Sequence, residues 1–380
     1  MDAGAPATSA GGVTAWLRRH AGKLVASLFI GASTVWILAR GGLPFVPPGA
    51  ALAAVRGWSV AAFLGTMLVG HVLRATRWRF LLRPVAKVSM RDMVVATWVG
   101  LGAIIVAPFR TGEVVRPYLI SKRGVPLWAA ASTIAAERIF DGLAVALILL
   151  GGLSLAPPRA PMPAHVGDLP VSVGAVRGAA WVAMAVFVSA FLVMAAFYWR
   201  RALARRVVRA VVGVFSPRLA DSMAAIVERL ADGLRSLPSA RAMVPFLLET
   251  AGYWAASSLG VWLLGLGCGL EGFRFPEACV TLGVVGIGVL VPAAPGFFGA
   301  FQLSTYMALA MFYPEDIQRG AGAAFVFVYY VCNIGWHLGA ALVAWLIGAA
   351  APPATEPAAA AAAPDTSPAP GAAPADAPRA

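Results

Sequence analysis

Charged residues are scarce in this chain. Only 12% of its 380 residues are Asp, Glu, Lys or Arg and 60% are hydrophobic, whereas a soluble domain has about a quarter charged residues. This balance excludes an ordinary soluble domain. The three cysteines stand singly in apolar surroundings without metal-ligand spacing. The four histidines are scattered, and no HExxH, Walker A or Ser-His-acid arrangement appears. We therefore expect no metal, no cofactor and no catalysis by this chain.

Long apolar segments are abundant instead. A helix needs about 20 apolar residues to cross the hydrocarbon core of a bilayer. The chain is therefore predicted to be an all-α integral membrane protein with about six full transmembrane helices. Their candidates lie near 24–39, 58–73, 127–153, 179–199, 243–270 and 321–348.

Two further apolar stretches are broken at their centres by Pro and Gly. The first, 94–116, contains APFRTGEVVR, and the second, 279–312, contains VPAAPGFFG. Paired interrupted segments in the two halves of a membrane protein point to a substrate site near the bilayer midplane. These two stretches are therefore the first candidates for a functional site.

Basic residues predict how the chain is oriented, because cytoplasmic loops retain Lys and Arg. They concentrate in the N-terminal segment 1–23, in a loop at 74–91 and in 200–241. This pattern puts both termini in the cytoplasm of a bacterium, with the protein in its inner membrane. It also makes the first broken stretch a re-entrant hairpin open to the cytoplasm and the second one open to the outside.

The predicted membrane domain, 24–348, is thus an inverted repeat with two oppositely oriented re-entrant hairpins. Irregular backbone at membrane depth occurs where protein buries it or water lines it. The hairpin tips are therefore predicted to meet around a polar cavity. An alternative is that each broken stretch forms two short tilted spans.

A charge cluster follows the first hairpin, in the span that contains AAERIFDG. Glu137 and Asp141 are spaced i to i+4 and share a helical face. Charges inside a membrane usually pair with one another and face a cavity. The set holds three positive and three negative groups, which fits a structural ion-pair network, direct substrate contact or both. Its members are Arg110, Glu113 and Arg116 in the hairpin and Glu137, Arg138 and Asp141 in the span.

Arginine suggests which ligand such a cavity binds. Its planar fork donates two hydrogen bonds to a phosphate at once. Arg110 and Arg116, beside the broken helix, are therefore predicted to receive a phospholipid or polyprenyl-phosphate head group.

At these residues the chain resembles a known family. The run PFRTGEVVRPYLISKRGVPLWAAASTIAAERIFDG and the later VPAAPGFFGAFQ are similar to the flippase-like membrane domain of lysylphosphatidylglycerol synthases. The resemblance covers about 24–348. It implies that the substrate site includes the second hairpin as well, where Phe297 stands in place of the usual glycine and Gln302 in place of the usual acid. The residues that it adds to the site are Pro292, Pro295, Gly296 and Gln302.

The resemblance implies lipid translocation between leaflets or a related lipid-handling role. Synthases of the family carry a soluble aminoacyl-transfer domain after the membrane region, whereas residues 349–380 here are an Ala- and Pro-rich tail expected to be disordered. Stand-alone relatives include proteins associated with hopanoid biosynthesis. Two hypotheses follow: a flippase or transporter of a phospholipid, polyprenyl-phosphate or hopanoid-type lipid, or a non-transporting partner of a lipid-modifying or hopanoid-biosynthesis enzyme.

The last signal is an amphipathic pattern at 216–238, which predicts a helix lying flat on the cytoplasmic surface as a linker or a partner-binding element. The net charge of +13 fits cytoplasmic loops facing anionic lipid. No nucleic-acid partner is expected, and no pattern assigns an oligomeric state.

Overall fold

The fold is α-helical, as a computed structural model shows. The structure describes residues 35–107, 112–170, 172–199, 240–290 and 294–349, with isolated positions between 22 and 33 and between 206 and 221. No β-strand occurs in these ranges, which confirms the all-α class. The predictions for 1–23, for most of the helix at 216–238 and for the tail after 349 lie outside the described residues.

The described helices follow the predicted order of spans and broken stretches. They are α1 Gly57–Leu82, α2 Met90–Val106, α3 Val115–Ser121, α4 Leu127–Leu155, α5 Ala175–Trp199, α6 Ala240–Gly267, α7 Phe275–Gly288, α8 Ala300–Ala310 and α9 Ala323–Ala349. Shorter helical turns occupy Gly49–Ala53, Pro295–Phe297 and Glu315–Ile317, and a π-helical turn at Gln318–Gly322 leads into α9.

Four helical segments are long and apolar enough to cross a membrane. They are Gly57–Leu82, Leu127–Leu155, Ala175–Ala196 and Glu315–Ala349. A polytopic membrane protein is therefore supported, while the count of six spans and the re-entrant nature and orientation of the two hairpins stay predictions.

Both broken stretches fold back on themselves. After α2 the chain returns so closely that a Cβ on Gly112 would lie 2.3 Å from the Ala103 carbonyl carbon. Between α7 and α8 the chain reverses through left-handed backbone at Gly296 (φ 69°), Phe297 (φ 56°) and Gly299 (φ 87°). A phenylalanine in this conformation costs roughly 1–2 kcal/mol.

The two hairpins contact each other, and each packs against the span that follows the other. A Cβ on Gly296 would lie 4.0 Å from Ile105 Cγ2, near the end of α2. Helix α2 packs along α9, α7 packs along α4, and the two helices that precede the hairpins, α1 and α6, pack together. This symmetric pairing is what two related halves would produce.

The prediction of a cytoplasmic loop at 74–91 is wrong for the first part of that range. Helix α1 continues to Leu82, and Arg74 and Arg77 are buried at 8% and 0% exposure. They lie inside because side chains from α4 and α6 bind them, as described below.

The contact between α4 and α7 generates a stability prediction. A Cβ on Gly152 would lie 2.8 Å from the Pro276 carbonyl oxygen, whereas a Cβ on the neighbouring Gly151 would meet nothing within 4 Å. We expect Gly152→Ala to lower the free energy of unfolding by about 1–3 kcal/mol because the helices must separate. Gly151→Ala should leave it unchanged or raise it by up to about 1 kcal/mol. Thermal unfolding of the detergent-purified variants measures both, and equal effects would contradict this packing.

Candidate functional site

Arg77 of α1 lies at the centre of a buried ion network. Its Nε donates to Glu137 Oε1 at 2.9 Å, and its Nη1 and Nη2 donate to the two carboxylate oxygens of Asp141 at 2.8 Å each. All three side chains are buried. Glu137 and Asp141 do share one face of α4, and that face binds an arginine through the bidentate geometry that makes such pairs strong.

Arg116 connects the first hairpin to this network. Its Nη1 donates to Glu137 Oε2 at 2.5 Å, and its guanidinium carbon lies 4.0 Å from the centre of the Trp78 ring. Trp78 in turn donates its indole N–H to Thr133 Oγ1 at 2.9 Å. Helix α3, the second arm of the first hairpin, therefore contacts both α1 and α4 through Arg116.

Helix α6 supplies the remaining polar partners. Thr250 Oγ1 accepts a hydrogen bond from Arg77 Nη1 at 3.2 Å, and Trp254 Nε1 donates to Asp141 Oδ1 at 3.3 Å. The Tyr253 hydroxyl oxygen accepts a hydrogen bond from Arg74 Nη1 at 3.2 Å. The network thus links α1, α3, α4 and α6, which meet around it.

Beside the network lies a cavity of about 410 Å³, within the range of roughly 300–1,000 Å³ typical of ligand pockets. Its lining combines polar and apolar side chains. The polar lining is Arg74, Glu113, Arg138, Asp141, Tyr253 and Trp254, and the apolar lining includes Val145, Ala183, Phe187, Ile287 and Leu290.

Two arginines face this cavity without a carboxylate of their own. In the described ranges neither Arg74 nor Arg138 has a carboxylate oxygen within 4.0 Å, and Arg138 Nε is buried with no hydrogen-bond acceptor. Asp141 is bound on both oxygens by Arg77. We call Arg74 and Arg138 the cavity arginines.

The charge balance therefore differs from the one expected from sequence. Arg74 and Arg77 join the cluster, so its described part holds four arginines against three carboxylates. The arginines are 74, 77, 116 and 138, and the carboxylates are 113, 137 and 141. The six predicted groups balance, but this larger set has an excess of one positive charge.

The other predicted site residues separate into distinct places. Glu113, Arg138 and Asp141 line the cavity, whereas Glu137 and Arg116 lie within the ion network.

The second-hairpin candidates lie elsewhere. Pro295 and Gly296 form the turn against α2. Gln302 Oε1 accepts a hydrogen bond from the Gly299 backbone N–H at 2.7 Å, which caps α8. The described cavity lining contains none of these three. Arg110 and Pro292 lie outside the described residues.

Sequence reasoning missed Arg74, Arg77, Tyr253 and Trp254. The spacing of His71, Arg74 and Arg77 was an available signal, because three-residue steps continue one face of a helix. The tyrosine and tryptophan of α6 carry no such signal, since Tyr and Trp are common in membrane proteins at both interfaces with water.

The network predicts unequal effects on stability for substitutions of two arginines. Arg77→Gln leaves Glu137 and Asp141 buried with too few partners, so we expect a loss of about 3–5 kcal/mol in the free energy of unfolding. Arg138→Gln removes a cation that makes no ion pair within the described ranges, so a change below about 1 kcal/mol is expected. Thermal unfolding in detergent compares them, and an equally damaging Arg138→Gln would show that Arg138 is also structural.

Comparison with known proteins supports a lipid-related membrane domain. The chain is 27% identical over 281 residues to the glycosyltransferase AglD of Haloferax volcanii, in a match that covers 70% of this chain and 45% of that relative. This chain therefore matches less than half the length of that relative. No solved structure matches the chain significantly. The family model described as lysylphosphatidylglycerol synthase TM region matches residues 24–352, nearly the whole described fold, and the chain belongs to that family.

Proposed function

We propose that this protein is a lipid flippase or lipid transporter that takes the head group of an amphipathic lipid into the cavity beside the ion network. The observation that carries this proposal is the pair of cavity arginines in a pocket that both polar and apolar side chains line. Charged groups at membrane depth are costly and usually mark a substrate pathway. A phospholipid or a polyprenyl-phosphate lipid supplies an anionic partner for these arginines, which have no ion pair among the described residues.

The apolar lining suits the rest of such a lipid. Val145 of α4, Ala183 and Phe187 of α5 and Leu290 after α7 belong to the cavity lining. A lipid chain can remain against these apolar side chains while its phosphate exchanges water for guanidinium N–H groups. The arginines thereby reduce the desolvation cost that otherwise prevents the head group from crossing.

The hairpins provide the proposed route between leaflets. Entry of one from the cytoplasm and of the other from outside would bring their contact, at Gly296 and Ile105, to the middle of the membrane. The basic segments support a multi-pass protein of a bacterial inner membrane with both termini in the cytoplasm.

A second candidate function is a non-transporting partner of a lipid-modifying enzyme, such as one that builds hopanoids. It is favoured by the relative named a glycosyltransferase, of which more than half lies outside the match. The chain would then present a lipid to that enzyme and catalyse no reaction itself. This candidate predicts co-purification with the enzyme and no transport by the isolated protein.

Transport by reconstituted protein tests the proposal. Arg138→Gln and Arg74→Gln should each reduce translocation of a fluorescent anionic phospholipid by roughly tenfold or more, since charged hydrogen bonds are worth about 1.5–3 kcal/mol. Arg83→Gln is the matched control, because Arg83 is exposed at the end of α1. All three variants should unfold near the wild-type temperature. Wild-type translocation by both cavity variants would refute the proposed route.

A further inference from the structure

Another cavity lies at the end of the helices, far from the ion network. Its volume is about 340 Å³, within the range typical of ligand pockets. The loop from α4 to α5 forms one wall, and the connection from α8 to α9 forms the other. At 1.5 Å per residue, the end of α4 at Leu155 lies about 20 Å along the helix from Asp141. We call this cavity the end pocket.

The loop wall of the end pocket is anchored to the rest of the fold. The backbone N–H groups of Arg159 and Asp168 donate to the carbonyls of Met311 and Gly41, each at 2.9 Å. Gly167 approaches Gly41 so closely that a Cβ on it would lie 2.2 Å from the Gly41 carbonyl oxygen. These contacts fix the loop against neighbouring elements, which pre-organises the pocket for a ligand.

Gln318 gives the end pocket a buried hydrogen-bond acceptor. The residue is 6% exposed, and its Nε2 donates to the Tyr313 carbonyl oxygen at 2.9 Å. Because only the amide nitrogen can donate to a carbonyl, this bond fixes the orientation of the amide. The remaining atom, Oε1, is buried and has no hydrogen-bond partner among the described residues. A buried carbonyl oxygen without a donor is costly, so this atom marks a place where a ligand donates.

The backbone at Gln318 is a second sign of a site. A π-helical turn at Gln318–Gly322 interrupts the regular helix that leads into α9. Turns of this kind occur frequently at functional sites. The side-chain amide of Gln318 reaches back to Tyr313, five residues earlier, and the side chain lines the pocket. The irregular turn and the unpartnered oxygen are thus separate observations on one residue.

The charged residues of the end pocket indicate the charge of its ligand. Glu315 forms an ion pair with Arg319. In the described ranges no carboxylate oxygen lies within 4.0 Å of the Arg159 guanidinium. Arg159 is exposed, whereas Gln318 is buried. The pocket therefore combines a neutral acceptor in its interior with an uncompensated cation at its surface.

We propose that the end pocket binds an acidic saccharide. One sugar hydroxyl donates to Gln318 Oε1, and the anionic group of the sugar accepts hydrogen bonds from Arg159. The C–H face of the ring packs against the apolar part of the lining, to which Tyr313, Pro161 and Pro314 belong. A sugar acid carries all three features on one ring. A cation is repelled by Arg159, and an apolar group leaves Oε1 without a donor.

This site is separate from the proposed lipid route. The described linings of the end pocket and of the cavity with Arg74 and Arg138 have no residue in common. The pattern of basic residues predicts that the end pocket faces the outside of the membrane. Binding of a saccharide there neither requires nor excludes transport.

Isothermal titration of the detergent-purified full chain tests the proposal, in a detergent without a sugar head group. D-Glucuronic acid should bind roughly two- to fivefold more tightly than D-glucose, because an exposed ion pair with Arg159 adds a modest gain. Acetate, an anion without hydroxyl groups, should not bind. An acidic tripeptide is the competitor from another chemical class and should bind more weakly than glucuronic acid.

Two substitutions test the buried part of the pocket. Gln318→Met keeps a similar side-chain volume but removes the acceptor, so affinity for both sugars should fall by roughly tenfold or more. It also removes the bond to Tyr313, so Ala164→Phe is the second variant. Ala164 is exposed on the loop wall, and a phenylalanine there should obstruct the pocket. Ala175→Phe, at an exposed position at the start of α5 outside the lining, is its matched control.

Arg159→Gln tests the proposed contact with the anionic group. It should bring the affinities for glucuronic acid and glucose together while leaving glucose binding unchanged. Arg177→Gln is the matched control, because Arg177 is exposed near the start of α5 and lies outside the pocket lining.

The sugar can be free in solution or be the head group of a lipid. Titration of glucuronic acid into nanodiscs that contain the full chain, with and without a glucuronosyl diacylglycerol, distinguishes these sources. Weaker apparent binding in the presence of the glycolipid identifies a lipid-borne sugar, and unchanged binding identifies a free one.

Three results would overturn the end pocket as a saccharide site. They are no binding of either sugar by the wild type, wild-type binding by both Gln318→Met and Ala164→Phe, and tighter binding of the tripeptide than of glucuronic acid. None of them bears on transport, which depends on Arg74 and Arg138. Saccharide binding without lipid translocation would in turn support this site and leave the flippase refuted.

Discussion

The bidentate pairing of Arg77 with Asp141, together with its bond to Glu137, is the interaction on which the rest of the structure depends. None of these groups could be buried alone, because removing a charge from water costs several kcal/mol unless partners compensate it. Their pairing fixes α1 against α4, and Arg116 extends the same network to the first hairpin. The Arg116–Glu137 ion pair thereby stabilises the irregular backbone of that hairpin in addition to its packing.

This network also determines which charges are available for a ligand. Glu137 and Asp141 are committed to Arg77 and Arg116, so Arg74 and Arg138 face the cavity without an ion-pair partner in the described part of the chain. The arginines of the cluster therefore divide into a structural pair and a cavity pair. The two hypotheses for the charge cluster therefore apply to different side chains: the ion-pair network to Arg77 and Arg116, and the proposed substrate contact to Arg74 and Arg138.

Much of this arrangement is encoded locally and could be predicted. Pro and Gly at the centres of two apolar stretches indicated the breaks that the structure shows, and the i to i+4 spacing of Glu137 and Asp141 indicated their shared face. Arg77 was missed because its partners are 60 and 64 residues away, and a basic residue after an apolar run is typical of a cytoplasmic loop. Gln302 was predicted for the substrate site from the resemblance, but its bond to the Gly299 backbone depends on a turn geometry that spacing alone does not give.

The most direct test of the central claim is lipid analysis of the purified protein with and without its cavity arginines. Phosphorus content and lipid species should be quantified for the wild type and for the double variant Arg74→Gln, Arg138→Gln, purified identically from the same host. We expect anionic phospholipid to be retained by the wild type and lost from a double variant that remains folded. Equal retention by both proteins would contradict the claim that these two arginines bind the head group.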